Sequence, residues 1–232
     1  NTIDINGTAA EVTAAFGVID ANTGNATATL SDSHTLAELK AINNATSGTI
    51  TLNNYGVALS GSTADVKAAL AGNFAATYTG NLTITDANGT DINATDITIL
   101  DGDTNGTITV SNAIDINGTA AQVTAAVAVV DTFSGAATAT LSDAHTLAEL
   151  KAINNAVTGQ ITLNSYGVAL GGSVADVKAA LAGSFAATYT GNVTFSDANT
   201  TDITATDIST IAAATDGTVT VTNTIDINGT AA

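Results

Sequence analysis

Ile3-Asp-Ile-Asn-Gly-Thr-Ala-Ala10 returns as Ile114–Ala121 and again as Ile225–Ala232, each time at an offset of 111 in the numbering. Between these landmarks the two copies align without a gap and are identical at most positions. Self-similarity at a fixed period is the signature of a repeat architecture. The chain therefore reads as repeat copy 1 (1–111), repeat copy 2 (112–222) and the start of a third copy (223–232). No Pro- or Gly/Ser-rich stretch separates the copies, so a continuous solenoid without linkers is expected. The chain has no Met, begins at Asn1 and stops ten residues into a copy. We therefore expect a processed product or a piece of a longer protein with more copies.

A shorter repeat lies inside each copy. Thr8-Ala-Ala-Glu-Val12, Thr35-Leu-Ala-Glu-Leu39, Ser62-Thr-Ala-Asp-Val66 and Asn93-Ala-Thr-Asp-Ile97 share one signature. Its acids, Glu11, Glu38, Asp65 and Asp96, recur at intervals of 27, 27 and 31, and Gln122 follows after a further 26. A Ser, Thr or Asn three residues before an acid marks a helix start: the first side chain caps an orphan N–H and the acid favours the positive end of the dipole. The strict capping box uses Glu or Gln, so the Asp versions are weaker. Apolar residues follow at helical spacing: Val12, Ala15, Phe16 and Ile19; Leu36, Leu39 and Ile42; Val66, Ala69 and Leu70; Ile97 and Leu100. Helices this short need a packed neighbour.

After each helix an alternating β-branched run predicts a half-buried strand: Thr27–Leu30, Thr49–Leu52, Leu82–Thr85 and Thr107–Val110. Polar corners follow, and a second short strand such as Gly56–Leu59 or Ile114–Ile116 leads to the next cap. Stacking such rungs, about four per copy, gives parallel strands over a continuous core. The expected fold is an α/β solenoid with a short capped helix per rung. Strands stack about 4.8 Å apart and helices pack about 8–10 Å apart, so a curved or superhelical form is expected. The alternative is a tandem pair of immunoglobulin-like β-sandwiches, whose roughly 100-residue size suits the period. Helix caps in every sub-repeat and the absence of Trp and Cys weigh against it.

Composition excludes several functions. Among 232 residues there are 4 Lys+Arg against 21 Asp+Glu, a net charge of −17, and no Cys, Pro, Met or Trp. That balance argues against nucleic acid or an anionic membrane as partner. No disulfide, thiolate or Cys-based metal chemistry is available. No apolar run approaches the roughly 18 residues of a membrane span. No nucleophile elbow or phosphate-binding glycine loop is present, and we expect no enzymatic activity.

Gly7–Val12, Ser62–Val66, Gly80-Asn-Leu-Thr-Ile-Thr-Asp86 and Gly106–Val110 resemble the degenerate repeats of giant bacterial surface proteins, including cyanobacterial and S-layer-like ones. The resemblance implies an extracellular or cell-surface structural role in a fibre, filament or S-layer-like coat. It further implies an adhesin or a calcium- or glycan-binding module as the alternative. The Gly-Gly-x-Gly-x-Asp calcium nonapeptides of that class are absent here. Copies of the chain itself, joined end to end or laterally, are the expected partners.

Candidate sites are sparse. His34 and His145 are equivalent and stand at polar corners, where we expect them solvated; a metal site there would need Asp32 or Asp143 as well. Asp86, Asp91 and Asp96, brought near Asp65 or Asp115 by stacking, are the calcium candidates, since oxygen-rich clusters suit hard cations. Otherwise no cofactor is expected. Copy 2 replaces Asp101 and Asp103 by Ala212 and Ala214, which removes that pair as a ligand set. Tyr55, Tyr78, Tyr166 and Tyr189 are expected half-buried with wet hydroxyls. Thr-x-Thr pairs such as Thr27/Thr29, Thr49/Thr51, Thr83/Thr85 and Thr107/Thr109 would form a flat two-column hydroxyl–methyl array if stacked, as on the ice-binding face of some solenoid antifreeze proteins. Eleven Asn-x-Ser/Thr sequons, Asn6, Asn25, Asn44, Asn81, Asn117 and Asn228 among them, could carry glycans.

Overall fold

The computed structural model describes residues 2–22 and 25–229. In chain order the elements of the first half are β1 (Asp4–Gly7), α1 (Ala9–Gly17), β2 (Thr27–Leu30), α2 (Leu36–Ala45), β3 (Thr49–Thr51), β4 (Leu59–Gly61), α3 (Thr63–Leu70), β5 (Asn73–Phe74), β6 (Leu82–Ile84), β7 (Asp91–Asn93), α4 (Ala94–Asp103) and β8 (Ile108–Val110). The second half continues β9 (Asp115–Gly118), α5 (Ala120–Val129), β10 (Thr132–Phe133), β11 (Thr138–Leu141), α6 (Leu147–Ala156), β12 (Gln160–Thr162), β13 (Leu170–Gly172), α7 (Val174–Leu181), β14 (Ser184–Phe185), β15 (Val193–Phe195), β16 (Asp202–Thr204), α8 (Ala205–Ala214), β17 (Val219–Val221) and β18 (Asp226–Asn228). Residues 230–232 of the third copy lie outside the described residues.

The chain divides into two compact units that do not follow the sequence copies. The first comprises Asn1–Asn88, Asp96–Asn112 and Val129–Gly135; the second comprises Gly89–Thr95, Ala113–Ala128 and Ala136–Ala232. The first unit holds the sheets β1-β2-β3-β5 and β4-β6-β8-β10. The second holds β7-β9-β11-β12-β14, β13-β15-β17 and β16-β18. Every strand pairing among the described residues is parallel. This is an α/β repeat fold, and it excludes the antiparallel immunoglobulin-like alternative.

The stacking differs from one continuous sheet for a reason visible in the registers. The strand step varies between 22, where Ala28 faces Ile50, and 26, where Leu82 faces Ile108. The N3 positions of successive helices are spaced more widely, as from Glu38 to Asp65 and from Asp65 to Asp96. Strand and helix tracks therefore drift out of phase, and each sheet is short. One more step of 24, the Thr49-to-Asn73 spacing, carries Asn73 at the end of the first sheet into α4. One step of 23 back from Leu59, as in Leu59 opposite Leu82, lands on Leu36 of α2. There α2 packs on β4 and α6 packs on β13, so a helix covers the edge at which each of these sheets begins.

The helix starts follow the capping chemistry. Thr8, Thr35 and Thr146 form complete capping boxes with Glu11, Glu38 and Glu149. Thr119 and Gln122 exchange the same two bonds. Val12, Leu39, Ile42, Val66, Ile97 and Leu100 are buried as their spacing predicts. Ile19 is a correction: α1 ends at Gly17 and Ile19 is exposed. The Gly56–Leu59 strand is another, since pairing begins only at Leu59. The Asn54 side chain accepts from Gly56 N–H and makes a turn, while the Val57 carbonyl is taken by a tyrosine.

Candidate functional site

Two side-chain systems repeat in both copies. The first is buried. His34 and Tyr78 are 3% and 1% exposed, as are His145 and Tyr189. Tyr78 Oη donates to the Val57 carbonyl at 2.5 Å, and His34 Nε2 lies 3.1 Å from the same hydroxyl oxygen. In the second copy Tyr189 Oη donates to Val168 at 2.7 Å and His145 Nε2 lies 3.0 Å away. A phenol has one hydrogen, and a carbonyl can only accept. The hydroxyl therefore accepts from the imidazole Nε2–H. Burial pushes both imidazoles below the usual histidine range, against the pull of Glu38 and Asp32 on His34 and of Glu149 and Asp143 on His145. Burial also pushes both phenols well above theirs. Nδ1 of each ring is buried without a partner.

This corrects two expectations. The histidines are not solvated corner residues, because each ring turns inward onto a tyrosine 44 residues later. Nor are the hydroxyls of Tyr78 and Tyr189 wet. Tyr55 and Tyr166 do stand half-buried, their hydroxyls accepting from Leu52 N–H and Leu163 N–H. Gly80 closes the first site: a Cβ there would stand 2.7 Å from the Tyr78 ring and against the Val57 carbonyl.

The second system is a charge ladder. Lys40 pairs with Asp65, Lys67 with Asp96, Lys151 with Asp176 and Lys178 with Asp207. These four lysines are the chain's full complement of Lys and Arg. Each Lys sits two residues after the N3 residue of its helix and reaches the N3 Asp of the following helix. The lysine holds Asp65, Asp176 and Asp207 below the usual carboxylate range, helped by Ser62, Ser173 and Thr204. Helices that follow one without Lys carry Glu38, Gln122 or Glu149 at N3 and close a capping box instead. That signal was available in the sequence: Asp at N3 whenever the preceding helix has Lys, otherwise Glu or Gln.

A further set of acids caps helices from a distance. Asp32, Asp86, Asp143 and Asp197 accept from the first backbone N–H of α1, α3, α5 and α7, at 2.7, 2.7, 2.7 and 3.0 Å. Asp32 and Asp143 thus serve as caps beside the histidines.

The calcium candidates do not converge. Asp86 also accepts from the Thr63 hydroxyl at 2.7 Å, and Asp96 is paired with Lys67. Asp91 belongs to the other compact unit, opposite Asp115 on β9. Among the described residues no three His, Asp or Glu side chains form a cluster that would hold a metal ion.

The Thr-x-Thr pairs are divided among separate sheets rather than standing in one two-column array. Thr27/Thr29 and Thr49/Thr51 share the first sheet, and Thr83 opposes Thr109 in the second. Thr27 and Thr29 both donate to Asp4, and Thr138 and Thr140 both donate to Asp115. Among the sequons, Asn81 uses its side-chain oxygen to accept from Thr107 N–H.

An open groove of about 770 Å³ runs beside α6, lined by Leu147, Lys151, Asn155, Gly172 and Asp176. Its two charges already satisfy each other. No helix among the described residues is long and apolar enough to cross a membrane. Comparison of the chain with protein-family models, with curated proteins and with solved structures finds no match.

Proposed function

We propose that this chain is a non-enzymatic structural repeat segment of a long extracellular fibre, filament or S-layer-like coat. One observation carries the reading: the side chains able to do chemistry instead tie one turn to the next, in the same way in both copies. All four lysines bind the next helix, both histidines bind a buried tyrosine, and the corner aspartates cap a helix start 23 residues earlier. A quasi-one-dimensional array draws its stability from such nearest-neighbour ties. The resemblance to bacterial surface repeats supports an extracellular setting.

The test is to lengthen the chain by whole copies of the long repeat and follow thermal unfolding. Stability and cooperativity should rise with each added copy, as nearest-neighbour coupling requires. Unchanged unfolding at two, three and four copies would overturn the reading. Electron microscopy of the native material should show filaments or a lattice rather than isolated particles.

A further inference from the structure

The corner between β2 and α2 makes more ties than its length suggests. Asp32 Oδ1 accepts from Ala9 N–H at the start of α1 at 2.7 Å. His34 Nε2–H donates to the Tyr78 hydroxyl at 3.1 Å, and that hydroxyl holds the Val57 carbonyl. Thr35 caps its own helix by accepting from Glu38 N–H at 3.3 Å. One short segment therefore joins the starts of α1 and α2 to the stretches that lead into β4 and β6. Asp143, His145 and Thr146 repeat every contact, onto Ala120, Tyr189 and Glu149, with Tyr189 on Val168. Each set lies within one compact unit.

The weak point is the far side of each imidazole. Nδ1 of both rings is buried and bonds nothing. In a neutral ring this leaves only a lone pair unused. In a protonated ring it would leave an N–H and a positive charge desolvated without an acceptor, which costs far more. The charged groups facing His34 are Glu38 on α2 and Asp32 on the corner; Glu149 and Asp143 face His145. Their carboxylates bond other groups. Asp32 and Asp143 take helix N–H groups, while Glu38 and Glu149 take the N–H and hydroxyl of Thr35 and Thr146. The stretch leading into β6 adds the Tyr78 phenol and the Phe74 ring, with centroids 6.3 Å apart, and Phe185 stands likewise 6.2 Å from Tyr189. Val57 and Val168 present only carbonyls, already taken by the phenols. A proton arriving at Nδ1 therefore finds its acceptor in water, outside the pocket.

We propose that Asp32–Thr35 and Asp143–Thr146 are acid-released clips: on taking a proton at Nδ1 the imidazole swings out to water, uncovers Tyr78 or Tyr189 and unties its corner, while the strands and helices stay folded. The open form takes the proton readily and the closed form resists it. The open-to-closed ratio of each clip should therefore rise by up to about tenfold per pH unit below about pH 6.5. Release loosens one corner against its neighbours and is independent of how many copies the chain stacks.

The full chain carrying Tyr55→Phe and Tyr166→Phe keeps Tyr78 and Tyr189 as its only tyrosines, so their signals report the clips directly. On acidification from about pH 7.5, near-ultraviolet circular dichroism should lose the tyrosine signal in a step during which the far-ultraviolet signal is unchanged. The imidazole proton resonances should titrate in the same step. If the near- and far-ultraviolet signals are lost together, the chain simply unfolds and the proposal is overturned. Imidazoles that titrate with the tyrosine signal unmoved overturn it as well. In the chain with His34→Gln and His145→Gln the side-chain amide can still donate to the phenol but takes no proton, so the step should vanish. A step that persists there belongs to the carboxylates and counts against the clips. Should the glutamine chain not fold, the resonances of the histidine chain decide the matter alone.

Discussion

Removing one oxygen at Tyr78 should cost more than its size suggests. Its hydroxyl donates to the Val57 carbonyl at 2.5 Å and accepts from His34 Nε2–H at 3.1 Å, with both rings buried. Tyr78→Phe leaves a carbonyl and an imidazole N–H desolvated without partners. At about 1–3 kcal/mol for each unsatisfied group, the loss is about 2–5 kcal/mol. Tyr189→Phe is an internal replicate, with bonds of 2.7 and 3.0 Å to Val168 and His145. Tyr55→Phe is the control. Its hydroxyl accepts from Leu52 N–H at a half-buried site where water can substitute, so about 1 kcal/mol or less is expected. Urea unfolding followed by circular dichroism at pH 8, where the histidines are neutral, gives the comparison. The reasoning fails if Tyr78→Phe lies within about 0.5 kcal/mol of the unmodified chain, or if it costs no more than Tyr55→Phe.

Acidification should destabilise the chain in two stages. His34 and His145 protonate less readily folded than unfolded, so their contribution is complete above about pH 6.5 and declines below it, by up to about 1.4 kcal/mol per pH unit for each; a urea midpoint unchanged between pH 7.5 and 5.5 would contradict this. Asp65, Asp176 and Asp207 are lowered in the folded state, so what they add is present above about pH 4 and lost below it. Thr200 holds φ +65° where the equivalent Gly89 holds +75°, and a β-branched residue is strained there; Thr200→Gly should stabilise by about 1 kcal/mol in thermal unfolding. Gly80→Ala, which drives a Cβ into the Val57 carbonyl, should cost more than about 3 kcal/mol and show as a large fall in Tm. Calcium should leave Tm unmoved relative to chelator, since Asp86 and Asp96 are engaged by Thr63 and Lys67.

Local chemistry was legible in the sequence and long-range partnership was not. Thr8, Thr35 and Ser62 each accept the N–H three residues on, because a cap is a contact within one turn. Ala28 and Leu30 are buried with Thr27 and Thr29 outward, because strand alternation is equally local. His34 reads as solvated because its neighbours Asp32 and Ser33 are polar, while the residue deciding its burial lies 44 positions away. The division into short sheets is hidden for a similar reason. It follows from the difference between the strand step and the helix step, and the strand step appears only once Ala28 is known to face Ile50. The lysine ladder is visible in spacing but not to residue-by-residue inspection, since Lys40 gains its meaning only from Asp65 in the next helix.

The acidic excess has a cause inside the fold. Every short helix opens on backbone N–H groups with no intrahelical partner, and an anion there is favoured by both hydrogen bonding and the helix dipole. A chain that starts a new helix in every short repeat must supply acceptors at that rate. It does so from within the helix, through Glu11, Glu38 and Glu149, and from the next turn, through Asp32, Asp86, Asp143 and Asp197. Cations enter only where an N3 Asp, too short to close the box, leaves a carboxylate for the preceding helix to bind. Part of the negative charge therefore follows the number of helix starts, while other aspartates, such as Asp4, Asp115 and Asp131, bond strand residues instead. That part of the anionic total is what this repeat requires of its own backbone, before any partner of opposite sign is invoked.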